Sequence, residues 1–183
     1  MSMKSKYFKI EEMIRCYKEY GRCEGCRLAH AATKLPYGIE DNAVAQIEDV
    51  LEPAREKLGM AIVITSGFRC PLKNSRTAGS SKSSQHQKGQ ASDLQVSHKG
   101  FGSMLEWKRA NLELAKVIVR NGKWDQLILE NVGRNDLLPA WVHVSYVRGG
   151  GNRHQILKKV AGGNGYQVVA VEEVLKGLKI ERK

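Results

Sequence analysis

The chain has 183 residues, of which 30 are Lys or Arg and 19 are Asp or Glu, so its formal net charge is +11, and 42% of its residues are apolar. These values predict a single globular domain over residues 1–183 and exclude disordered, collagen-like and disulfide-scaffold proteins. No apolar run approaches the ~20 residues that span a bilayer, and no signal peptide is visible. The positive charge favours a polyanionic partner without choosing among nucleic acid, cell-wall polymer and acidic lipid.

Two helices are predicted in the first third of the chain. Residues 10–17 carry apolar side chains at the i, i+3, i+4, i+7 spacing of an amphipathic helix, which Gly21 would end. A second helical pattern covers residues 41–58. Pro53 should kink or divide it, because proline lacks the backbone donor, and Gly59 should end it.

Three cysteines, Cys16, Cys23 and Cys26, lie near His30 in the N-terminal segment 1–35. They could form a small structural zinc site, a disulfide or free thiols. The second half of a zinc-ribbon pattern is absent, so the sequence leaves these alternatives open.

The central part of the chain alternates strand-like and polar segments. Residues 61–65 form a short apolar, β-branched run that predicts a buried strand, and residues 90–96 alternate in the manner of another strand. The polar stretch 66–89 between them predicts a long loop, and a loop of that length inside a compact domain is usually functional.

The long helix that follows has clear signals at both ends. Ser103 and Glu106 have the spacing of a capping box, in which the two side chains satisfy exposed backbone donors. The helix should run to about Asn121, with Gly122 as its C-terminal cap.

The last third of the chain predicts a β-hairpin and a basic tail. The apolar runs 126–129 and 141–147 flank a turn-rich loop, which predicts an antiparallel pair of strands. A short strand is expected at 166–171, and the basic tail covers residues 176–183.

Two histidines and an aspartate, His86, Asp93 and His143, have the composition of a catalytic zinc site. Two imidazoles and one carboxylate suit Zn²⁺, because three protein ligands leave a fourth coordination position open. Asp93 lies on the predicted strand 90–96 and can point toward the preceding loop that carries His86. The same residues would also be unremarkable as a surface His, a strand Asp and a core His.

Three motifs in order add to this pattern. Ser-x-His-x-x-Gly-x-Ala-x-Asp at 84–93, preceded by Ser-Gly-Phe-Arg at 66–69 and followed by Trp-x-His-x-Ser at 141–145, resembles the zinc D-alanyl-D-alanine carboxypeptidase family. Its relatives include the VanX-type D,D-dipeptidases, phage L-alanyl-D-glutamate endopeptidases and, by fold, the Hedgehog signalling domain. The likeness extends over residues 7–157.

This resemblance implies an α+β fold in which helices pack on a central antiparallel sheet and a groove holds one catalytic Zn²⁺. It implies that His86, Asp93 and His143 bind the metal and that the protein cleaves peptide bonds of the peptidoglycan stem. Arg69 matches the family arginine at the reacting carbonyl, a role suited to an always-charged guanidinium. Ser84 would bind substrate or orient His86.

The general base departs from the best-known members, which place an acid about three residues before the last His, where this chain has Ala140. Glu130 is predicted instead, because its strand resembles a subgroup of the family with a glutamate ahead of the hairpin loop. If Glu130 pairs with Trp141, it shares a sheet face with His143 at roughly 7–8 Å, whereas a slip of one residue would turn it away. Asp136 in the loop is the alternative base.

The predicted function is metal-assisted hydrolysis of peptidoglycan stem peptides by a monomeric zinc peptidase, as a D,D-carboxypeptidase, an endopeptidase or a phage lysin. Without a visible signal peptide, the protein would stay cytoplasmic until lysis or act at the cell envelope. The alternative is a catalytically inactive zinc-containing module that binds the cell wall or another partner, and Ala140 is its best support. Nucleic-acid binding rests on charge alone, because no helix-turn-helix, finger or aromatic platform is present.

Overall fold

The structure is a computed structural model that describes residues 4–14 and 37–176. The cysteine cluster with His30, the end of the first predicted helix and most of the basic tail lie outside the described residues. In chain order the described residues form α1 (Ile10–Met13), α2 (Ile39–Gln46), a π-helical turn (Ile47–Leu51), α3 (Glu52–Leu58), β1 (Ile62–Ser66), α4 (Pro71–Arg76), a 3₁₀ turn (Gln85–Lys88), β2 (Ala91–Val96), α5 (Met104–Asn121), β3 (Gln126–Val132), β4 (Trp141–Ser145), β5 (Gln155–Val160), β6 (Gln167–Val168) and α6 (Val171–Lys176).

The second helical pattern is continuous, which corrects the predicted break at Pro53. The chain passes from α2 through the π-helical turn into α3, and Pro53 lies in the first turn of α3, where its missing N–H costs least. The carbonyl of Asp49, which residue 53 would bond in a regular helix, instead accepts a hydrogen bond from the Asn121 side chain at 2.8 Å. The helix ends at Gly59 with a φ of 71°, as predicted.

The polar stretch 66–89 is not one long loop, which corrects that part of the sequence analysis. It contains α4 and the 3₁₀ turn. Helix α4 has Pro71 in its first turn, and Asn74 on it donates a side-chain hydrogen bond to the Ser81 carbonyl at 2.8 Å. This short helix is polar almost throughout, so the apolar periodicity that reveals a helix in a sequence is missing.

The described strands form one sheet in the order β1-β2-β4-β3-β5-β6. The class is mixed α and β, in agreement with the α+β prediction, but the pairing of β3 with β5 is parallel, which corrects the predicted antiparallel sheet. Strand β4 ends beside Gln126, the first residue of β3. Strand β5 starts at that same end, since its first residue, Gln155, pairs with Gln126, and it therefore runs parallel to β3. Strand β5 itself was missed by the sequence analysis.

The C-terminal strand predicted at 166–171 is shorter than expected. Only Gln167–Val168 pairs with β5, and α6 begins at Val171. Glu172 and Glu173 lie in the first turn of α6, where negative charge interacts favourably with the helix dipole, and Val174 is fully buried.

Helix α5 agrees with its prediction. The Ser103 hydroxyl accepts the Glu106 N–H at 3.2 Å, while the Glu106 carboxylate accepts the N–H of Gly102, and Gly122 ends the helix with a φ of 75°. Neither α5 nor another helix in the described part of the chain is long and apolar enough to cross a membrane. The apolar core joins this helix to one face of the sheet through Leu94, Leu114, Ala115, Ile118, Leu127, Leu129, Val142, Val144 and Ile156.

Asp125, the residue before β3, joins three strands. Its N–H donates to the Ser145 carbonyl at 2.6 Å and its carbonyl accepts the Gln155 N–H at 3.1 Å. Its carboxylate accepts hydrogen bonds from the Arg153 backbone, Nε and Nη2 at 2.8, 2.9 and 2.6 Å. Burial alone would raise the pKa of Asp125, but the bonds from Arg153 outweigh it and hold this pKa at about 2.

We expect Asp125→Asn to lower the free energy of unfolding at pH 7 by about 1–3 kcal/mol, because it removes a charged acceptor from several donors. A carboxylate with a depressed folded-state pKa stabilises above its unfolded pKa of about 3.9, and this contribution is lost as the pH falls toward the folded value. Urea unfolding should therefore give a difference in the free energy of unfolding between Asp125→Asn and the unmodified chain that is roughly half as large at pH 3 as at pH 7.

The matched control is Glu113→Gln, which alters an exposed i, i+3 pair with Lys116 and should change stability by less than about 0.5 kcal/mol at both pH values. A loss of stability in Asp125→Asn that is equally large at pH 7 and at pH 3 would contradict the role of the Asp125 charge.

Candidate metal centre and active-site cleft

The sheet face opposite the apolar core lines a cleft of about 710 Å³. Alternate residues of the central strands face it, since side chains of a strand point to opposite faces in turn. The far wall comes from the polar segment between α4 and the 3₁₀ turn. The lining residues of β3, β4 and β5 are Gln126, Ile128, Glu130, Asn131, Trp141, His143, Leu157, Lys159 and Val160.

His86, Asp93 and His143 meet in this cleft. The His143 Nδ1 lies 2.9 Å from the Asp93 Oδ1, the His86 Nε2 lies 3.3 Å from that oxygen, and the two nitrogens lie 3.2 Å apart. Zinc bonds of 2.0–2.2 Å in a tetrahedral arrangement separate ligand atoms by about 3.3–3.6 Å, a little more than the distances observed here. Two imidazole nitrogens and a carboxylate oxygen in this triangle therefore fit Zn²⁺ in both chemistry and spacing, with a fourth position toward the cleft.

The pairing of strands sets this triangle. Asp93 on β2 is the direct cross-strand partner of His143 on β4, so both side chains leave the same face at neighbouring positions. His86 approaches from the 3₁₀ turn, and Gly89, with a φ of 68°, turns the chain from there into β2. A Cβ on Gly89 would lie 2.7 Å from the Ile39 carbonyl oxygen, so glycine is required there.

The ring of His86 is held with one nitrogen free for a metal. Its Nδ1 lies 2.7 Å from the Gly67 carbonyl and donates to it, which leaves the Nε2 lone pair facing the cleft. A Cβ on Gly67 would lie 2.1 Å from the Met13 carbonyl oxygen, so only glycine allows this segment to pack against α1. Burial lowers the pKa of His86, which keeps the imidazole in the neutral form that binds metals.

Arg69 binds the carboxylate oxygen of Asp93 that does not face the two histidines. Its Nη2 donates to the Asp93 Oδ2, and its Nε donates to the Ser66 hydroxyl at 2.9 Å. Burial alone would raise the pKa of Asp93, but the polar contacts of its carboxylate with His143 and His86 outweigh it, and this pKa lies well below its usual range. Asp93 is therefore ionised, with Oδ2 bonded to Arg69 and Oδ1 directed at the two imidazoles.

The hairpin has the register that places Glu130 on the cleft face. Glu130 on β3 pairs with Trp141, and Ile128 pairs with His143, so Glu130 lies on the cleft face diagonally from His143. Burial raises the pKa of Glu130 above its ordinary value. The geometric condition that the sequence set for Glu130 is met, and its role as a base stays a prediction.

The alternative base, Asp136, has a structural task in the hairpin loop. Its Oδ1 accepts the N–H groups of Gly133 at 3.0 Å and Leu138 at 2.9 Å, and Asp136 is not among the residues that line the cleft. Ser84 does line the cleft, two residues before His86. The arrangement thus favours Glu130 over Asp136 as the acid that faces the ligand cluster.

Three cleft residues were missed by the sequence analysis: Arg153, Lys159 and Tyr166. Arg153 spans the cleft edge, donating to the Gln85 side chain at 3.2 Å as well as to Asp125. Lys159 lies on β5, and its ammonium is 4.8 Å from the centroid of the Tyr166 ring. Apolar and polar residues do not alternate along β5, whose sequence is Gln-Ile-Leu-Lys-Lys-Val, so the sequence carries no clear strand signal around Lys159.

Comparison with known families gives one match. The family model described as Peptidase M15 matches residues 6–124, about two thirds of the chain. A search of curated proteins found no match. The matched span ends before β3, so it contains Arg69, His86 and Asp93, whereas Glu130 and His143 lie beyond it.

We expect the purified chain to bind about one Zn²⁺, and His143→Ala to lose it, because two remaining ligands hold zinc far less tightly than three. Metal analysis by plasma mass spectrometry after dialysis measures the stoichiometry. The control is His98→Ala, whose ring stacks on Trp107 away from the cleft and whose loss should leave the zinc content unchanged. Full zinc content in His143→Ala would exclude His143 as a ligand.

Proposed function

The chain belongs to the peptidase M15 family, and we propose that it is a zinc-dependent peptidase that hydrolyses peptide bonds in the stem peptides of bacterial peptidoglycan. The observation that carries this proposal is the meeting of His86, Asp93 and His143 with Glu130 in one cleft. The net charge of +11 supports an anionic cell-wall substrate. We further propose that the sheet and its helices have the Hedgehog-type arrangement.

In the proposed mechanism His86, Asp93 and His143 hold the metal. Bound there, Zn²⁺ would supply a Lewis acid for the scissile carbonyl and for the attacking water. Glu130 takes the proton of this water at its carboxylate and returns it to the leaving amine nitrogen. Its raised pKa suits both steps, because a base that must later act as an acid works best when its pKa approaches the operating pH.

Arg69 and Ser84 are the proposed substrate-binding groups. The Arg69 guanidinium lines the cleft while its Nη2 is bonded to Asp93, so it can face the carbonyl oxygen on which negative charge develops. Ser84 lines the cleft beside the 3₁₀ turn and offers a hydroxyl to the substrate. No covalent intermediate is required.

A catalytically inactive wall-binding module is the second candidate. Ala140, at the position where the best-known relatives carry an acid, favours it. Its N–H donates to the Glu130 carbonyl at 2.9 Å, however, so this position lies directly beside a residue that does carry an acid. The peptidase is therefore the better supported function, and the choice between D,D-carboxypeptidase and endopeptidase is left to experiment.

The deciding experiment is digestion of purified peptidoglycan with and without a zinc chelator, with the released fragments analysed by mass spectrometry. We expect release that the chelator abolishes and added Zn²⁺ restores. Loss of terminal D-Ala would identify a carboxypeptidase, and larger stem fragments an endopeptidase. Binding of the wall without release, by protein that contains one Zn²⁺, would support the inactive module instead.

We expect Glu130→Gln to keep its zinc and lose hydrolysis by about 10²–10⁴-fold, because the amide cannot accept the proton of water. Initial rates on soluble stem peptide and metal content should be measured on the same preparation. Glu113→Gln, an exposed carboxylate on α5, is the control and should keep full activity. Normal turnover by Glu130→Gln would show that another group is the base.

We expect Arg69→Lys to lower kcat/KM by about 10²–10³-fold, mostly through kcat, because lysine keeps the charge but not the forked donors. Zinc affinity should also fall by about 10–100-fold as Asp93 loses its supporting bond. The control is Arg148→Lys, whose arginine pairs with Glu48 and Asp49 outside the cleft and should not affect activity. Unchanged kinetics and zinc affinity in Arg69→Lys would leave Arg69 without a role in the site.

A further inference from the structure

One cation in the cleft has no role in the proposed mechanism. Three basic residues line the cleft, and two of them are paired with carboxylates: Arg69 with Asp93, and Arg153 with Asp125. Among the residues that the structure describes, no carboxylate forms an ion pair with Lys159. Its ammonium is therefore available to a charged group that enters the cleft.

The fold fixes where this ammonium lies. Lys159 on β5 is the direct neighbour of Glu130 on β3, on the side away from the metal ligands. Strand β6 returns beside β5 with Gln167 opposite Lys158, so Tyr166 stands next to Lys159 at the following position. The Tyr166 ring centroid lies 4.8 Å from the Lys159 Nζ, which restricts the ammonium to the cleft side by a cation–π contact.

The distance between the ligand cluster and Lys159 determines which part of a bound substrate can reach the Lys159 ammonium. His143 and Lys159 are two strands apart across the sheet and two residues apart along the strands, or about 12 Å at the usual strand spacing and rise. An extended peptide covers this length in about three residues. A substrate whose scissile carbonyl lies at the ligand cluster would therefore bring the terminal or side-chain group of a nearby residue to Lys159.

We propose that Lys159, oriented by Tyr166, is a specificity-determining subsite for a carboxylate of the peptide substrate, within about three residues of the bond that is cut. This inference rests on the proposed peptidase function. An ammonium pairs with a carboxylate as a compact point charge that several approach directions can satisfy. The carboxylate comes from the C-terminus of the substrate or from an acidic side chain within it.

The test uses two pairs of synthetic stem-like peptides with the zinc-loaded full chain. In the first pair, one peptide ends in a carboxylate and the other in a carboxamide. In the second pair, one peptide has an internal glutamate and the other has glutamine at the same position. We expect the unmodified chain to prefer the charged member of one pair by about 10-fold or more in kcat/KM, mainly through KM. Lys159→Met should abolish this preference, so that both members of the pair are cleaved with similar kcat/KM.

The matched control is Lys158→Met, which removes the same charge from the adjacent residue of β5, whose side chain is not among those lining the cleft. It should keep the preference. Tyr166→Phe should also keep it, because the ring and not the hydroxyl flanks the ammonium, while Tyr166→Ala should weaken it.

The outcomes separate the two proposals. A preference for the charged member of the first pair that Lys159→Met abolishes identifies the C-terminal carboxylate as the group that Lys159 binds. The same result in the second pair identifies an acidic side chain as that group. Cleavage by the unmodified chain with no charge preference, or with one that Lys159→Met retains, overturns the subsite alone. Absence of cleavage of the peptides and of peptidoglycan overturns the proposed peptidase and the subsite together.

Discussion

The register of β4 between its two neighbours is the constraint on which the site depends. His143 faces Asp93 on one side and Ile128 on the other, and these pairings fix which side chains share the cleft face. Because side chains alternate along a strand, a slip of one residue would turn either Asp93 or Glu130 into the apolar core. The leucines and valines on the opposite face resist such a slip, since it would expose them. Hydrophobic packing on one face thus determines coordination chemistry on the other.

Burial of charge in the cleft is tolerated because each charge has a partner. Asp93 is 8% exposed, and an isolated carboxylate so placed would be costly. Arg69 and two imidazoles offset that cost, and the same contacts direct one carboxylate oxygen toward the place where a cation would bind. Gly67 contributes by letting its segment approach α1 closely while its carbonyl fixes the ring of His86. Folding and metal binding therefore draw on the same contacts.

The proposed base, Glu130, lies on a different strand from the acid of the best-known relatives. The position that carries the acid in the best-known relatives is Ala140 here, at the entry to β4, and Glu130 lies directly across the hairpin. A carboxylate supplied from β3 reaches the same cleft beside His143. Strand β5, the next one outward, then places Lys159 beside Glu130, so the part of the cleft beyond the family match is where this chain can acquire its own substrate preference.

The sequence by itself determined the local elements and the identity of the candidate ligands, because periodicity, capping residues and short motifs are local signals. It identified α5 with both caps, the hairpin that carries Glu130, and His86, Asp93 and His143 as a set, while the register of the hairpin was left as a condition. It did not reveal α4, whose residues are mostly polar, or β5, whose position depends on which edge of β3 is free after β4 has paired. The parallel pairing of β5, and with it the place of Lys159 in the cleft, was decided only by the tertiary structure, because strand order depends on contacts between residues distant in the chain and leaves no local pattern.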